Sequence, residues 1–247
     1  MQSDIKPSRA RRGSRGRKGN KRANATGLQQ IAWQVPKNTD TPIAPLPPEG
    51  VAAIHHTAMR ILEEVGVEFL NLEAVDTLRQ AGCTILNETR DGALVKMDRA
   101  FVMDKIAHAP AKFLITPRNL DRQIIIGGQH MVFGSIASPP NCSDLDRGRR
   151  PGDRQSHRDL VKLSQFFNCI HFIGGYPVEP VDSHASVRHL DCLHDQLTLS
   201  DKVVHAYSLG AGRVNDVIEM VRIAWGLTEQ EFAQTPRMFT NINSTSP

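Results

Sequence analysis

Apolar positions change their spacing several times along this chain, and each change marks a different kind of element. Val51, Ile54, Ala58, Ile61, Leu62 and Val65 recur at steps of three and four, which predicts an amphipathic helix over Glu49–Glu64. Gly66 stands where the C′ residue of that helix belongs. Val75 and Leu78 repeat the spacing more briefly over Leu72–Gln80, closed by Ala81-Gly82. Two short stretches, Cys83–Leu86 and Ala93–Met97, read as strands joined through Asp91-Gly92. Asp98 then caps a helix through Ala107, and Pro110 ends it. Together these make a small α+β unit without chemistry of its own.

Past Pro110 the pattern turns to short apolar runs separated by helical periods. Lys112–Thr116 and Arg122–Ile126 come first, and Gly127-Gly128 makes a turn. Four strands are then predicted at Met131–Ile136, Ile170–Gly174, Val203–Ser208 and Arg237–Asn241. Helices of about Ser156–Phe167, Ala185–Leu199 and Arg213–Trp225 separate them, the first with a capping-box-like Ser156 and Asp159. The strands are continuous in Val, Ile and Phe, as expected where both faces are covered. Their starts lie 39, 33 and 34 residues apart, the length of one βα unit. A dinucleotide-binding sheet would carry Gly-x-Gly-x-x-Gly after its first strand, and no such motif follows Gly134 or Gly174-Gly175. The α/β architecture favoured is therefore a TIM-type (β/α)8 barrel, of which four units amount to about the first half.

The start of the chain has no period at all. Residues 1–22 hold nine basic side chains against Asp4, a net of +8, so the remaining 225 residues carry −4 of the overall +4. Pro36, Pro42, Pro45, Pro47 and Pro48 follow. Residues 1–48 are thus predicted to be a disordered basic and Pro-rich leader, 49–110 the small α+β subdomain and 111–247 the four βα units. The Arg/Gly-rich tail leaves open a salt-dependent contact with nucleic acid, although a solvated leader is the simpler reading. No stretch is long and apolar enough for a membrane span, and no apolar signal opens the chain. Cys83, Cys142, Cys169 and Cys192 are too scattered for a disulfide framework, which points to a cytoplasmic protein with reduced thiols.

In a barrel the chemistry sits in the loops after the strands. Those loops offer Tyr176, Glu179, Asp182, Tyr207, Ser208, Asn241 and Asn243, including both of the chain's tyrosines at adjacent strand ends. Aromatic faces with nearby carboxylates suit a cationic amine; rim packing is the competing explanation for the tyrosines. Tyr176, Glu179, Tyr207, Asn241 and Asn243 are the substrate-binding candidates. No metal site is expected, because His184, His189 and His194 recur every five residues and scatter around a helix. Cys-x-x-Cys, Gly-x-Ser-x-Gly and a phosphate-binding Gly-x-x-x-x-Gly-Lys-Ser/Thr loop are absent.

Several segments resemble the corrinoid-dependent trimethylamine methyltransferase family. They are Ala53–Phe69 (AIHHTAMRILEEVGVEF), Ser143–Pro151 (SDLDRGRRP), Gly174–Asp182 (GGYPVEPVD), Arg188–Leu193 (RHLDCL) and Leu199–Lys202 (LSDK). The resemblance runs from Val51 to Pro247 and rests on the combination of motifs. It implies an enzyme that moves a methyl group from trimethylamine or a quaternary amine such as glycine betaine to the cobalt of a corrinoid protein. That corrinoid (cobalamin) is carried by the partner and docks at the barrel mouth, so no cofactor is expected on this chain. Members of the family carry the complete barrel, and in archaeal ones a pyrrolysine lies in the second half. The resemblance therefore implies the N-terminal half of a member, inactive alone, with no catalytic residue assignable here. A truncated half-barrel without activity, or a homo-oligomer of it, stays open.

Overall fold

The computed structural model describes residues 28–207 and 209–241. The basic tail through residue 27, Ser208 and Asn243 lie outside the described residues.

The segment from Leu28 to Asn38 forms no helix, yet it is docked. Trp33 and Val35 pack against Ile115, Ile124 and Val203, and the Arg122 guanidinium lies 4.5 Å over the Trp33 ring. Gln30 donates through Nε2 to Phe166 O at 3.0 Å and accepts from Asn168 N at 2.7 Å. A disordered leader through residue 48 does not describe this stretch. Backbone groups anchor it too, Pro36 O accepting from Met131 N and Asn38 N donating to Gln129 O, both at 2.8 Å, and such contacts leave no periodicity in the sequence.

The next unit follows the predicted pattern closely. Helix α1, Pro48–Arg60, begins with proline in its first turn and continues as a π-turn over Ile61–Val65. Gly66, at φ 89°, ends it where a Cβ would meet Val95 O at 2.8 Å. Strands β1 (Val67–Phe69), β2 (Thr84–Leu86) and β3 (Ala93–Lys96) form an antiparallel sheet in the order β1-β3-β2. Helix α2, Leu72–Gln80, lays Val75 on Ala93 and Val95. Helix α3, Arg99–Ala107, is capped by Asp98, whose Oδ1 accepts from Ala100 N at 2.7 Å.

A hairpin of β4 (Lys112–Ile115) and β5 (Ile124–Gly127) brings Ile115 and Ile124 against Val203. The strand expected at Met131–Ile136 shrinks to a single parallel bridge, Gly134 to Phe172. The approach is close: a Cβ on Gly134 would stand 2.2 Å from the Phe172 ring. A second hairpin, β6 (Asn141–Asp144) and β7 (Gly148–Pro151), was not legible as strand, because its residues are mostly polar or charged. Asp144 shapes its turn by accepting from Arg147 N at 2.7 Å and pairing with Arg150 at 2.7 Å.

The alternation then runs as expected, with shorter strands. It comprises α4 (Arg154–Phe166), β8 (Phe172–Ile173), α5 (Arg188–Leu199), β9 (Val203–Ala206) and α6 (Ala211–Trp225). A short α7 (Glu229–Gln234), opened by a Thr228–Glu231 capping box, and β10 (Phe239–Thr240) complete it. The α4 cap is Asp153, accepting from Ser156 N at 2.6 Å, rather than Ser156 itself. β8, β9 and β10 are parallel neighbours in chain order, with Gly134 bridging to β8 on the far side. Side chains of β9 alternate: Val204 and Ala206 pack on Leu193, Leu197, Val217 and Val221 of the helices, while Val203 joins the opposite cluster. The βα loops after β8 and β9 therefore emerge together at one end of the sheet.

Candidate functional site

The loop after β8 opens with two glycines that the geometry requires. A Cβ on Gly174 would lie 2.2 Å from Ser135 O, and one on Gly175 would lie 2.5 Å from the Tyr207 ring. Gly175 also holds φ at +89°. With both side chains absent, the chain passes close beneath the end of β9 and Tyr176 meets Tyr207. Their rings stack with centroids 4.7 Å apart and planes at 27°.

Ser138 ties the pair to the preceding loop. Its N–H donates to Tyr176 O at 2.6 Å, and its hydroxyl accepts from the Tyr207 hydroxyl. It does so from a left-handed backbone, φ 52°, which few serines adopt. Sequence reasoning missed Ser138, since nothing in Ala137-Ser138-Pro139 marks a tertiary tie.

Behind the stack lies a small cavity lined by Tyr176, Tyr207, His189, Gln196, His205 and Arg213, with Leu193 and Val217. Tyr176 is buried, at 6% exposure, and burial pushes its hydroxyl well above the ordinary tyrosine value. Gln196 donates from Nε2 to Gly175 O at 2.6 Å and leaves Oε1 buried without a partner. Both ring nitrogens of His205 are likewise unpartnered, and burial pushes its pKa down. His189 contacts Asp216 through Nε2 at 2.8 Å. Cys192 is buried and its thiol is pushed up to about 12 by burial, so it is no thiolate.

Of the predicted site residues among those described, the fold brings together the two tyrosines. Glu179 pairs with Arg188 at 2.5 Å outside the cavity lining, and Arg188 also donates to Ser183 O at 2.8 Å. Asp182 accepts from Arg154 N at 2.9 Å at the start of α4. Glu179 is thus paired with a guanidinium, whereas Asp182 accepts from a neutral backbone N–H and keeps its charge. Asn241 is exposed just beyond β10 and is not among the cavity-lining residues. His189, Gln196, His205 and Arg213 carried no readable signal, because each lies inside or beside an element whose inward face only the sheet defines. Among the described residues, no group of three or more His, Cys, Asp or Glu side chains is placed to hold a metal.

Parallel βα units with an aromatic pair at the C-terminal ends of their strands make this an α/β protein in class. Residues 11–247 match the family described as trimethylamine methyltransferase (MTTB), and the chain belongs to that family. It is similar to a glycine betaine methyltransferase of Desulfitobacterium hafniense (strain Y51), 32% identical over 197 residues, covering 80% of this chain and 40% of that protein. It is also similar to the trimethylamine methyltransferase MttB of Desulfitobacterium hafniense (strain DSM 10664 / DCB-2), 25% identical over 201 residues, 81% of this chain and 39% of that protein. The chain thus spans about 40% of the length of the curated relatives it matches.

Proposed function

We propose that these residues are the first four βα units of a (β/α)8 barrel that moves a methyl group from trimethylamine, or a quaternary amine such as glycine betaine, to the cobalt of a separate corrinoid protein. The observation that carries the reading is the Tyr176–Tyr207 stack at the strand ends of a chain in this family. A methyl group on a positively charged nitrogen is electrophilic, and low-valent cobalt is a strong nucleophile. The protein then has to hold the cation, align it and exclude water, and needs no side-chain nucleophile. The stack is closed, so no ammonium fits between the rings. Tyr176 backs Tyr207 and fixes its plane, and Tyr207, the more exposed of the two, offers the cation an aromatic face.

Cys83, Cys142, Cys169 and Cys192 are all free, which fits the reducing cytoplasm we assign to the protein. No helix among the described residues is long and apolar enough to cross a membrane. The test is demethylation of trimethylamine and of glycine betaine by the full-length protein, with a reduced corrinoid protein as acceptor. Methyl transfer is read from the change in cobalt absorbance. Formation of methylated cobalt with either donor supports the reading, and none with both donors overturns it.

A further inference from the structure

Beside Gly175, buried polar atoms of two side chains have no hydrogen-bond partner among the described residues: Oε1 of Gln196 and both ring nitrogens of His205. Both residues line the cavity behind the tyrosines. Gln196 is 1% exposed and cannot relieve its oxygen by turning over. Its Nε2 donates at 2.6 Å to Gly175 O, a carbonyl that only accepts, so the amide oxygen is the atom left unpaired. His205 borders the same glycine, its Nδ1 lying 3.4 Å from where a Gly175 Cβ would stand. Buried polar atoms are rarely left unpaired unless something else completes them.

The chemistry of these atoms selects what completes them. Oε1 of Gln196 needs a donor. A ring nitrogen of His205 needs a donor if it is bare and an acceptor if it carries hydrogen. A ligand here must therefore donate to the amide and be able to take either part at the imidazole. The space is about 10 Å³, room for one water molecule and for nothing the size of a methylated amine. An ammonium ion has the size and the donors but no lone pair, and it would share the cavity with the Arg213 guanidinium.

We propose that the cavity is an internal hydration site, in which one ordered water donates to Gln196 Oε1 and bonds a ring nitrogen of His205. The water ties α5, which carries Gln196, to β9, which carries His205, behind the Tyr176–Tyr207 stack. It is a fixture of the fold, independent of the reaction the protein carries out. On the methyl-transfer reading, the amine is then confined to the outer face of Tyr207.

The test is a crystal structure of the full-length protein, grown without amine and then soaked in trimethylamine. One isolated density peak is expected within hydrogen-bond distance of Gln196 Oε1 and a His205 ring nitrogen, before and after the soak. Gln196→Met keeps the length of the side chain and removes both polar atoms, so the peak should be lost. The unfolding temperature shows whether that variant folds, and if it does not, the unsubstituted protein alone decides. An empty cavity, Oε1 bonded to a protein group instead, an amine in the water's place, or a peak that survives in folded Gln196→Met would each overturn the proposal. Loss of the methyl-transfer reading would leave the peak where it is, and an absent peak would leave that reading standing.

Discussion

Gly175 shows how one missing side chain shapes the site. Its φ of +89° disfavours any L-residue, and a Cβ there would press on the Tyr207 ring at 2.5 Å. Gly175→Ala is therefore expected to cost about 1–3 kcal/mol in backbone strain and to unstack the tyrosines. Near-ultraviolet circular dichroism and urea denaturation would record the two effects, and an unchanged aromatic spectrum would contradict the account. Asp153 makes a separate residue-scale case. The N–H of Ser156 holds its carboxyl below the ordinary value of 3.8. A depressed folded-state pKa means stabilisation that is complete above the unfolded value and lost as pH falls through the folded one. Asp153→Ala should cost about 1 kcal/mol near neutral pH. The gap from wild type should narrow below pH 3.8, as read from denaturation curves at both pH values.

At the scale of elements, the C-terminal end of α4 depends on parts of the chain far from it. Lys202 is 1% exposed and donates from Nζ to Ser164 O at 2.5 Å and Phe167 O at 2.7 Å. Burial pushes its pKa down to about 8. Gln30 reaches Phe166 O from the docked N-terminal segment, and the Trp33 ring lies 5.6 Å from the Lys202 amine. These contacts satisfy carbonyls that a helix end leaves open. Trp33→Ala should release the N-terminal segment and open Lys202 to water, costing about 2–3 kcal/mol for a ring only partly buried. The diagnostic signal is faster amide exchange at the end of α4. Exchange unchanged there would mean that Trp33 packs without supporting the helix.

At the scale of the molecule, two surfaces lack cover. α1 and its π-turn expose Val51, Ile54, Ile61 and Val65 at 56, 61, 49 and 61%. Strand β10 ends the parallel sheet, with no further strand beside it among the described residues. An apolar helical face and an open strand edge both promote association. The 247-residue chain expressed alone is expected to sediment above its monomer mass of 27.4 kDa and to bind a hydrophobic dye. A dispersed monomer that binds no dye would show that these surfaces tolerate water.

Periodicity sufficed for five of the helices and for the order of β8, β9 and β10, because each repeats a local rule, but it did not reveal α7. Steps of three and four mark α1, α2, α4, α5 and α6, and apolar runs mark β8, β9 and β10. It placed Tyr176 and Tyr207 at strand ends, which follows from knowing where the strands stop. Local rules do not reach contacts between distant segments. The docking of Trp33, the polar β6–β7 hairpin, the Glu179–Arg188 ion pair and the Ser138 tie all join residues through packing. Arg213, Gln196 and His205 meet around one cavity only because parallel strands bring successive βα loops to the same end. Hydrophobic spacing determined which elements form; the parallel pairing of those elements decided which polar side chains face each other.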